Sequence, residues 1–157
     1  TGDILRDEII KKSDIGQQIM SNMNEGKFVS DEIVNELIEK VIYDPQKKDK
    51  LIFDGYPRSL SQAKYLDLLL DKSKQKIDHI FYLNVNKDII IERIEKRKKL
   101  ENRSDDNTDT ILKRYETYME TTRPVLDYYS KNLNFHEING TQEIDQITKE
   151  IEAFIDV

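Results

Sequence analysis

At 157 residues the chain suits one domain with a single apolar core. Its net charge of -6 argues against nucleic acid or a membrane surface as the main partner, because both attract positive charge, so any anionic ligand has to be held by a local cluster of arginines. The absence of cysteine excludes disulfides, thiolate catalysis and a cysteine-held structural zinc, and no apolar run is long enough to span a bilayer, so the expectation is a chain that works in the cytoplasm.

Apolar Ile4, Leu5, Ile9, Ile15, Ile19, Met20 and Met23 recur at helical steps, which predicts an interrupted helix from Ile4 to Met23, with Ser13 and Asp14 able to restart it. Asn24-Glu25-Gly26 breaks the chain, and Ser30-Asp31-Glu32 opens a helix bearing Ile33, Val34, Leu37, Ile38, Val41 and Ile42. Asp44-Pro45-Gln46 ends it. The short run Leu51-Ile52-Phe53, stopped by Asp54-Gly55-Tyr56-Pro57, reads as a buried parallel strand feeding a functional loop. A helix follows from Ser61 with Ala63, Tyr65, Leu66, Leu69 and Leu70 on its apolar side. His79 to Val85 is a second strand and Asp88 to Leu100 a helix. Glu101 to Asp109 is a polar loop, Thr110 through Tyr129 a longer helix, Phe135 to Ile138 a third strand, and Gln142 to Ile155 a closing amphipathic helix. Strands separated by helices imply one α/β domain over residues 1–157 on a parallel sheet. Ligands then belong beyond the strands' C-terminal ends, where Asp54 to Arg58 and Asn139 to Gln142 stand. Three short strands are few for so many helices.

The basic residues are 18 lysines and only seven arginines, at 6, 58, 93, 97, 103, 114 and 123. Lysine serves as a solvated surface charge, whereas the flat guanidinium pairs with phosphate oxygens, so a lysine-rich chain reserves arginine for ligand geometry. The strongest local signal is Asp54-Gly55-Tyr56-Pro57-Arg58 followed four residues on by Gln62. Glycine and proline fix the backbone past a strand, Arg58 offers a fork for phosphate, and a glutamine amide bonds an adenine edge in two places. Arg93 and Arg97 would be a mildly repulsive pair on a bare helix surface, a placement easier to justify if an anion lies between them. His79 and His136 sit in strand-like runs and read as packing, as do Tyr115, Tyr118, Tyr128 and Tyr129 on their helix.

Thr1-Gly2-Asp3-Ile4-Leu5-Arg6, Lys27-Phe28-Val29-Ser30-Asp31-Glu32 and the Asp54 to Arg58 loop with Gln62 occur in order, and in this the chain resembles the adenylate kinase family. The family's monophosphate-binding region carries a TGD-x-LR start, a GK-x-V-[ST]-DE segment and a DG-[FY]-PR loop with that glutamine. The resemblance implies a three-layer α/β fold, the P-loop nucleoside monophosphate kinase fold with its parallel sheet. It also implies a monomeric enzyme that transfers a phosphoryl group reversibly between ATP and AMP to give two ADP, with Mg2+ accompanying ATP and no structural zinc. Within that resemblance, Thr1 and Gln62 recognise adenine and Arg6 and Arg58 hold the AMP phosphate. Lys27, Phe28 and Val29 border base and ribose, and Gly55, Tyr56 and Pro57 line the same pocket. Asp54 helps hold magnesium through water. Arg93 and Arg97 lie on the ATP side, Arg103 and Arg114 reach both nucleotides, and Gly140 and Gln142 border the ATP base, with Gln142 standing where many members have lysine.

Residues 1–29 form the AMP-binding subregion of this reading, and residues 96–106 a short lid, because only five residues separate Arg97 from Arg103. A UMP/CMP kinase is the runner-up, disfavoured by Thr1 and Gln62, and a non-catalytic nucleotide-binding remnant is the rival of another class. The family's G-x-x-x-x-G-K-[ST] or GxxGxGK loop occurs nowhere in the 157 residues. The expectation is therefore a chain truncated at its N-terminus, with the central P-loop strand absent from its sheet and little or no turnover when expressed alone.

Overall fold

In a computed structural model, residues 2–12, 14–24, 29–101 and 108–155 are described. The N-terminal arm is a helix pair, α1 (Gly2–Ile10) and α2 (Asp14–Asn24), interrupted as expected, with Lys12 at a left-handed φ of 54° between them. Next come α3 (Asp31–Ile42) and α4 (Leu60–Lys72), then β1 (Ile80–Asn84) and α5 (Lys87–Glu101). A helical stretch follows as α6 (Thr108–Thr117), a π-helical turn (Tyr118–Thr122) and α7 (Arg123–Tyr129), so the single helix expected from Thr110 to Tyr129 carries a change of winding in its middle. The chain ends with β2 (Phe135–Asn139) and α8 (Ile144–Ile155).

The strands β1 and β2 pair in parallel, in register from Ile80 against Phe135 to Asn84 against Asn139. Among the described residues the sheet has these two strands. The first of the expected strands, Leu51 to Phe53, does not form: the segment has no ladder partner among the described residues, and Ile52 is 94% exposed. Only hydrogen bonding to a neighbour makes extended chain a strand. Its apolar content is still used, because Leu51 and Phe53 both pack against the main core, as alternation in extended chain allows.

That core is helical. Val34, Ile38 and Ile42, at four-residue steps on α3, meet Leu66, Leu69 and Leu70 of α4, with Ile19 from α2 and Tyr56 from the loop before α4. Leu5, Ile9 and Ile15 pack against the same cluster, which seats the N-terminal arm on α3 and α4. A second, smaller cluster of Ala63, Val125 and Tyr129 joins α4 to α7 beside Ile80 and Phe135 of the sheet. The β2 strand buries Ile138 completely, and α8 lies near it with the Phe154 ring tilted against His136, their centroids 4.0 Å apart. His79 Nδ1 lies 3.3 Å from His136 Nε2 before the start of β1, at the opposite end of the strands from Asn84 and Gly140.

Several phenols are tied into these contacts. The Tyr56 hydroxyl donates to Asn35 Oδ1 at 2.9 Å, and Tyr129 donates to Asp67 Oδ1 at 3.1 Å. Burial pushes Tyr56, Tyr118 and Tyr129 well above the ordinary phenol range, with nearby Asp31, Tyr82 and Asp67 respectively adding to the rise. The unfolded chain ionises these groups near pH 10, whereas the folded chain keeps their protons to higher pH. Their contribution to stability is therefore whole below pH 10 and is lost as pH climbs above it. Three of the eight tyrosines should give tyrosinate absorbance only as the fold unfolds at alkaline pH, and titration of all eight together before unfolding would contradict this.

Candidate functional site

The loop between Phe53 and α4 is built for close approach. Gly55 has φ of +68°, the Tyr56–Pro57 peptide is cis, and the Arg58 Nε donates to the Gly55 carbonyl at 2.8 Å. Gly55 is required for its backbone conformation, and a Cβ there would stand 2.8 Å from Arg58 Nη2, so the arginine lies folded close over it. The Arg58 backbone is pinned on both sides: its N–H donates to Gln62 Oε1 at 2.7 Å, and its carbonyl accepts from Thr122 Oγ1 at 2.8 Å. The π-helical turn thus ends on the residue that steadies this loop, the kind of place where such turns recur. The Arg58 side chain itself is exposed. Asp54, also exposed, stands at the bend beside Gly55.

Gln62, in the first turn of α4, is the one buried polar residue among those described, at 2% exposure. Its backbone N–H is capped by Ser59 Oγ at 3.2 Å, and its side-chain Nε2 donates to Asp31 Oδ1 at 2.7 Å. The other carboxylate oxygen of Asp31 accepts from Ser59 Oγ at 3.0 Å and from Ser61 Oγ. Tyr56 closes the group from below, buried in the core with its hydroxyl on Asn35. Arg6, half-buried on α1, folds back so that a Cβ on Gly2 would lie 3.1 Å from its Nη2. Val29 is buried in the same cluster as Tyr56.

A second group gathers at the C-terminal ends of the strands. Gly140 continues the ladder by donating its N–H to the Asn84 carbonyl at 3.0 Å, and a Cβ there would meet Val85 Cγ2 at 2.4 Å. The turn that follows is held by Asn139, whose Oδ1 accepts from Thr141 N and Oγ1. Arg93 on α5 reaches across to the Gln142 carbonyl at 3.4 Å, so three of the residues expected on the ATP side, Arg93, Gly140 and Gln142, are brought together.

The structure therefore joins Gly55, Tyr56, Pro57, Arg58 and Gln62 in one loop-and-helix start, with Asp54 at its edge. Thr1, Lys27, Phe28 and Arg103 lie outside the described residues, as do the side chains of Arg97 and Arg114, whose backbones belong to α5 and α6. Sequence reading missed Asp31, Ser59, Ser61 and Thr122. Asp31 reads in sequence as a helix start and a family-motif position without a role of its own, and its contacts with Ser59 and Gln62 join positions 28 and 31 residues apart, a separation no local pattern reveals. Ser59 could have been found, because serine three residues before the first helical amide it serves is an N-cap signal.

A model of the adenylate kinase family matches residues 1–134. An adenylate kinase of Pelagibacter ubique (strain HTCC1062) is 42% identical over 100% of this chain and 86% of its own length. Adenylate kinases of Mycoplasma capricolum subsp. capricolum and Porphyromonas gingivalis are 40% and 35% identical, covering 89% and 99% of the chain and 78% and 80% of their own lengths. The Pelagibacter alignment runs over 183 positions against 157 residues here, so that relative carries positions with no counterpart in this chain, whereas the Porphyromonas alignment runs over 156. With that match over most of the chain and the arginine-bearing loop folded as described, this chain belongs to the adenylate kinase family.

Proposed function

We propose that the protein catalyses reversible transfer of the terminal phosphoryl group of ATP to AMP, giving two ADP, and that the two gathered groups are its acceptor and donor sides. The observation that carries this assignment is the Arg58 loop: a guanidinium held over a left-handed glycine, its backbone locked to Gln62, the amide assigned to the adenine. In this reading Arg58 and Arg6 bind the AMP phosphate, and Thr1, Gln62 and the Lys27 to Val29 backbone select and enclose the base. Gly55, Tyr56 and Pro57 shape the pocket floor. Arg93, Arg97, Arg103 and Arg114 converge on the phosphate chain, with Gly140 and Gln142 at the ATP base.

The chemistry needs no covalent partner. An oxygen of the AMP phosphate attacks the γ-phosphorus of ATP in line, the bond from that phosphorus to the β-bridging oxygen breaks, and the negative charge spread over the transferring group is met by arginine forks. Position and charge do the catalytic work, with water kept out by closure of the 96–106 segment as a short lid. Gln62 is nearly buried, so the base reaches it only when the chain opens over the amide. Among the described residues no three histidine, cysteine or acidic side chains gather as a metal cage. An exposed carboxylate such as Asp54 suits an ion that arrives with ATP and keeps its waters, as Mg2+ does. Bound in that way, Mg2+ neutralises phosphate charge and orients the phosphate chain.

We further propose a cytoplasmic monomer; none of the described helices is long and apolar enough to cross a membrane. Presented with MgATP and AMP, UMP or CMP in parallel, the protein purified together with the family's P-loop segment, which these 157 residues do not contain, should form nucleoside diphosphate from AMP at least about a hundredfold faster, judged by kcat/KM. Equal use of UMP or CMP would move the chain to the pyrimidine branch, and turnover of none would leave only a binding protein.

A further inference from the structure

We infer that Asp31 is the positioning residue that sets adenine selectivity, by fixing which way the Gln62 amide faces. This rests on the proposed role of Gln62 as the adenine-recognising side chain. A glutamine amide is nearly symmetric in shape but opposite in polarity at its two ends, so its value as a base reader depends entirely on orientation. Free to turn over, it would present donor and acceptor in either order and read adenine and hypoxanthine about equally well.

Here the orientation is set from both ends. Gln62 Nε2 faces the Asp31 carboxylate at 2.7 Å, and Gln62 Oε1 faces the Arg58 N–H at 2.7 Å. Turned over, the amide would set its oxygen against a carboxylate oxygen and its NH2 against an N–H, so both contacts would become repulsive. Of the two, the carboxylate makes the stronger demand, because a charged acceptor strengthens the bond it receives and penalises a facing oxygen. Asp31 is in turn held by Ser59 Oγ and Ser61 Oγ on its other oxygen, and those hydroxyls lie 2.8 Å from each other. These contacts join the first turns of α3 and α4, so the element that would border the nucleotide and the element that would read it are locked together.

Each amide atom keeps one further hydrogen-bonding position: a second hydrogen on Nε2 and a second lone pair on Oε1. Side by side and in fixed order, they complement adenine, which offers an amino donor next to a ring-nitrogen acceptor. They oppose the hypoxanthine base, whose corresponding edge offers an oxygen acceptor next to an N–H donor. The same order of donor and acceptor underlies bidentate reading of adenine by glutamine in nucleic-acid grooves.

The test measures kcat and KM for AMP and for IMP, with thermal unfolding alongside, in the unaltered protein and in Asp31→Ala, Asp31→Asn and Gln62→Leu. In Asp31→Ala the preference for AMP over IMP should fall about tenfold, with the loss on the KM for AMP rather than on kcat. Asp31→Asn should recover most of that preference, because its side-chain oxygen can still accept from Gln62 Nε2 while its NH2 donates to the serines. An unchanged AMP-to-IMP ratio in Asp31→Ala, beside a collapsed ratio in Gln62→Leu, overturns the positioning role and leaves the Gln62 reading intact. An unchanged ratio in Gln62→Leu overturns the Gln62 reading itself, and this inference with it.

Discussion

Replacing Arg58 with alanine should lower kcat/KM for AMP by about a hundredfold to a thousandfold while changing the KM for ATP little, and should leave the fold intact. The side chain is exposed and its Nε donates to the Gly55 carbonyl at 2.8 Å, a surface contact whose loss costs the fold about 1 kcal/mol. The backbone N–H and carbonyl of residue 58 are held by Gln62 and Thr122 whatever side chain stands there, which keeps the loop in place in the variant. What is removed is a two-pronged donor whose charge cannot be neutralised. Arg58→Lys keeps charge but offers a single point in place of the fork, so it should recover only part of the loss. Steady-state kinetics with AMP varied at saturating MgATP, and the reverse, separate the two sides. Equal effects on both KM values, or a loss below about threefold, would remove Arg58 from the acceptor site.

The sequence made the helices legible because their apolar spacing is local: Val34, Ile38 and Ile42 face the core as their periodicity requires, whereas the Ser59 cap of α4, equally local, went unread. Leu51 to Phe53 was misread for the opposite reason. A three-residue apolar run carries no information about whether a neighbouring strand lies beside it, and pairing is what makes the strand. Within the site, residues joined by one loop were readable as a motif, from Asp54 to Gln62. The support beneath them was not. Asp31, Thr122 and Asn35 reach the loop from other elements, each through a single side-chain atom or pair. Nothing in a one-dimensional pattern distinguishes such a carboxylate or hydroxyl from one at an ordinary helix end. The family motifs name the side chains that would touch nucleotide, and the hydrogen-bond network names the ones that aim them.

Gly16 tests how tightly the N-terminal arm must close for α1 to carry Arg6 to its place. Two effects of Gly16→Ala oppose each other. Alanine is the better helix former by about 1 kcal/mol, which favours the variant. Against this, a Cβ at position 16 would stand 2.3 Å from the Glu8 carbonyl oxygen and 2.9 Å from its carbon, and both are backbone atoms of α1 that no rotamer change can move. Overpacking of this kind costs about 3 kcal/mol, so the net expectation is destabilisation by about 2 kcal/mol. For a domain of this size that lowers Tm by roughly 4–8 °C. The strain is relieved by α1 moving away from α2, and Leu5 and Ile9 then lose contact with the cluster around Ile19. Arg6 shares that helix and moves with it. A displacement of about 1 Å at a phosphate-binding group is enough to cost about a hundredfold, so the KM for AMP should rise at least tenfold while that for ATP holds. Scanning calorimetry and the two KM values give both answers from one preparation. A Tm that rises in Gly16→Ala would mean that propensity outweighs the collision and that α1 and α2 have room for a methyl group between them.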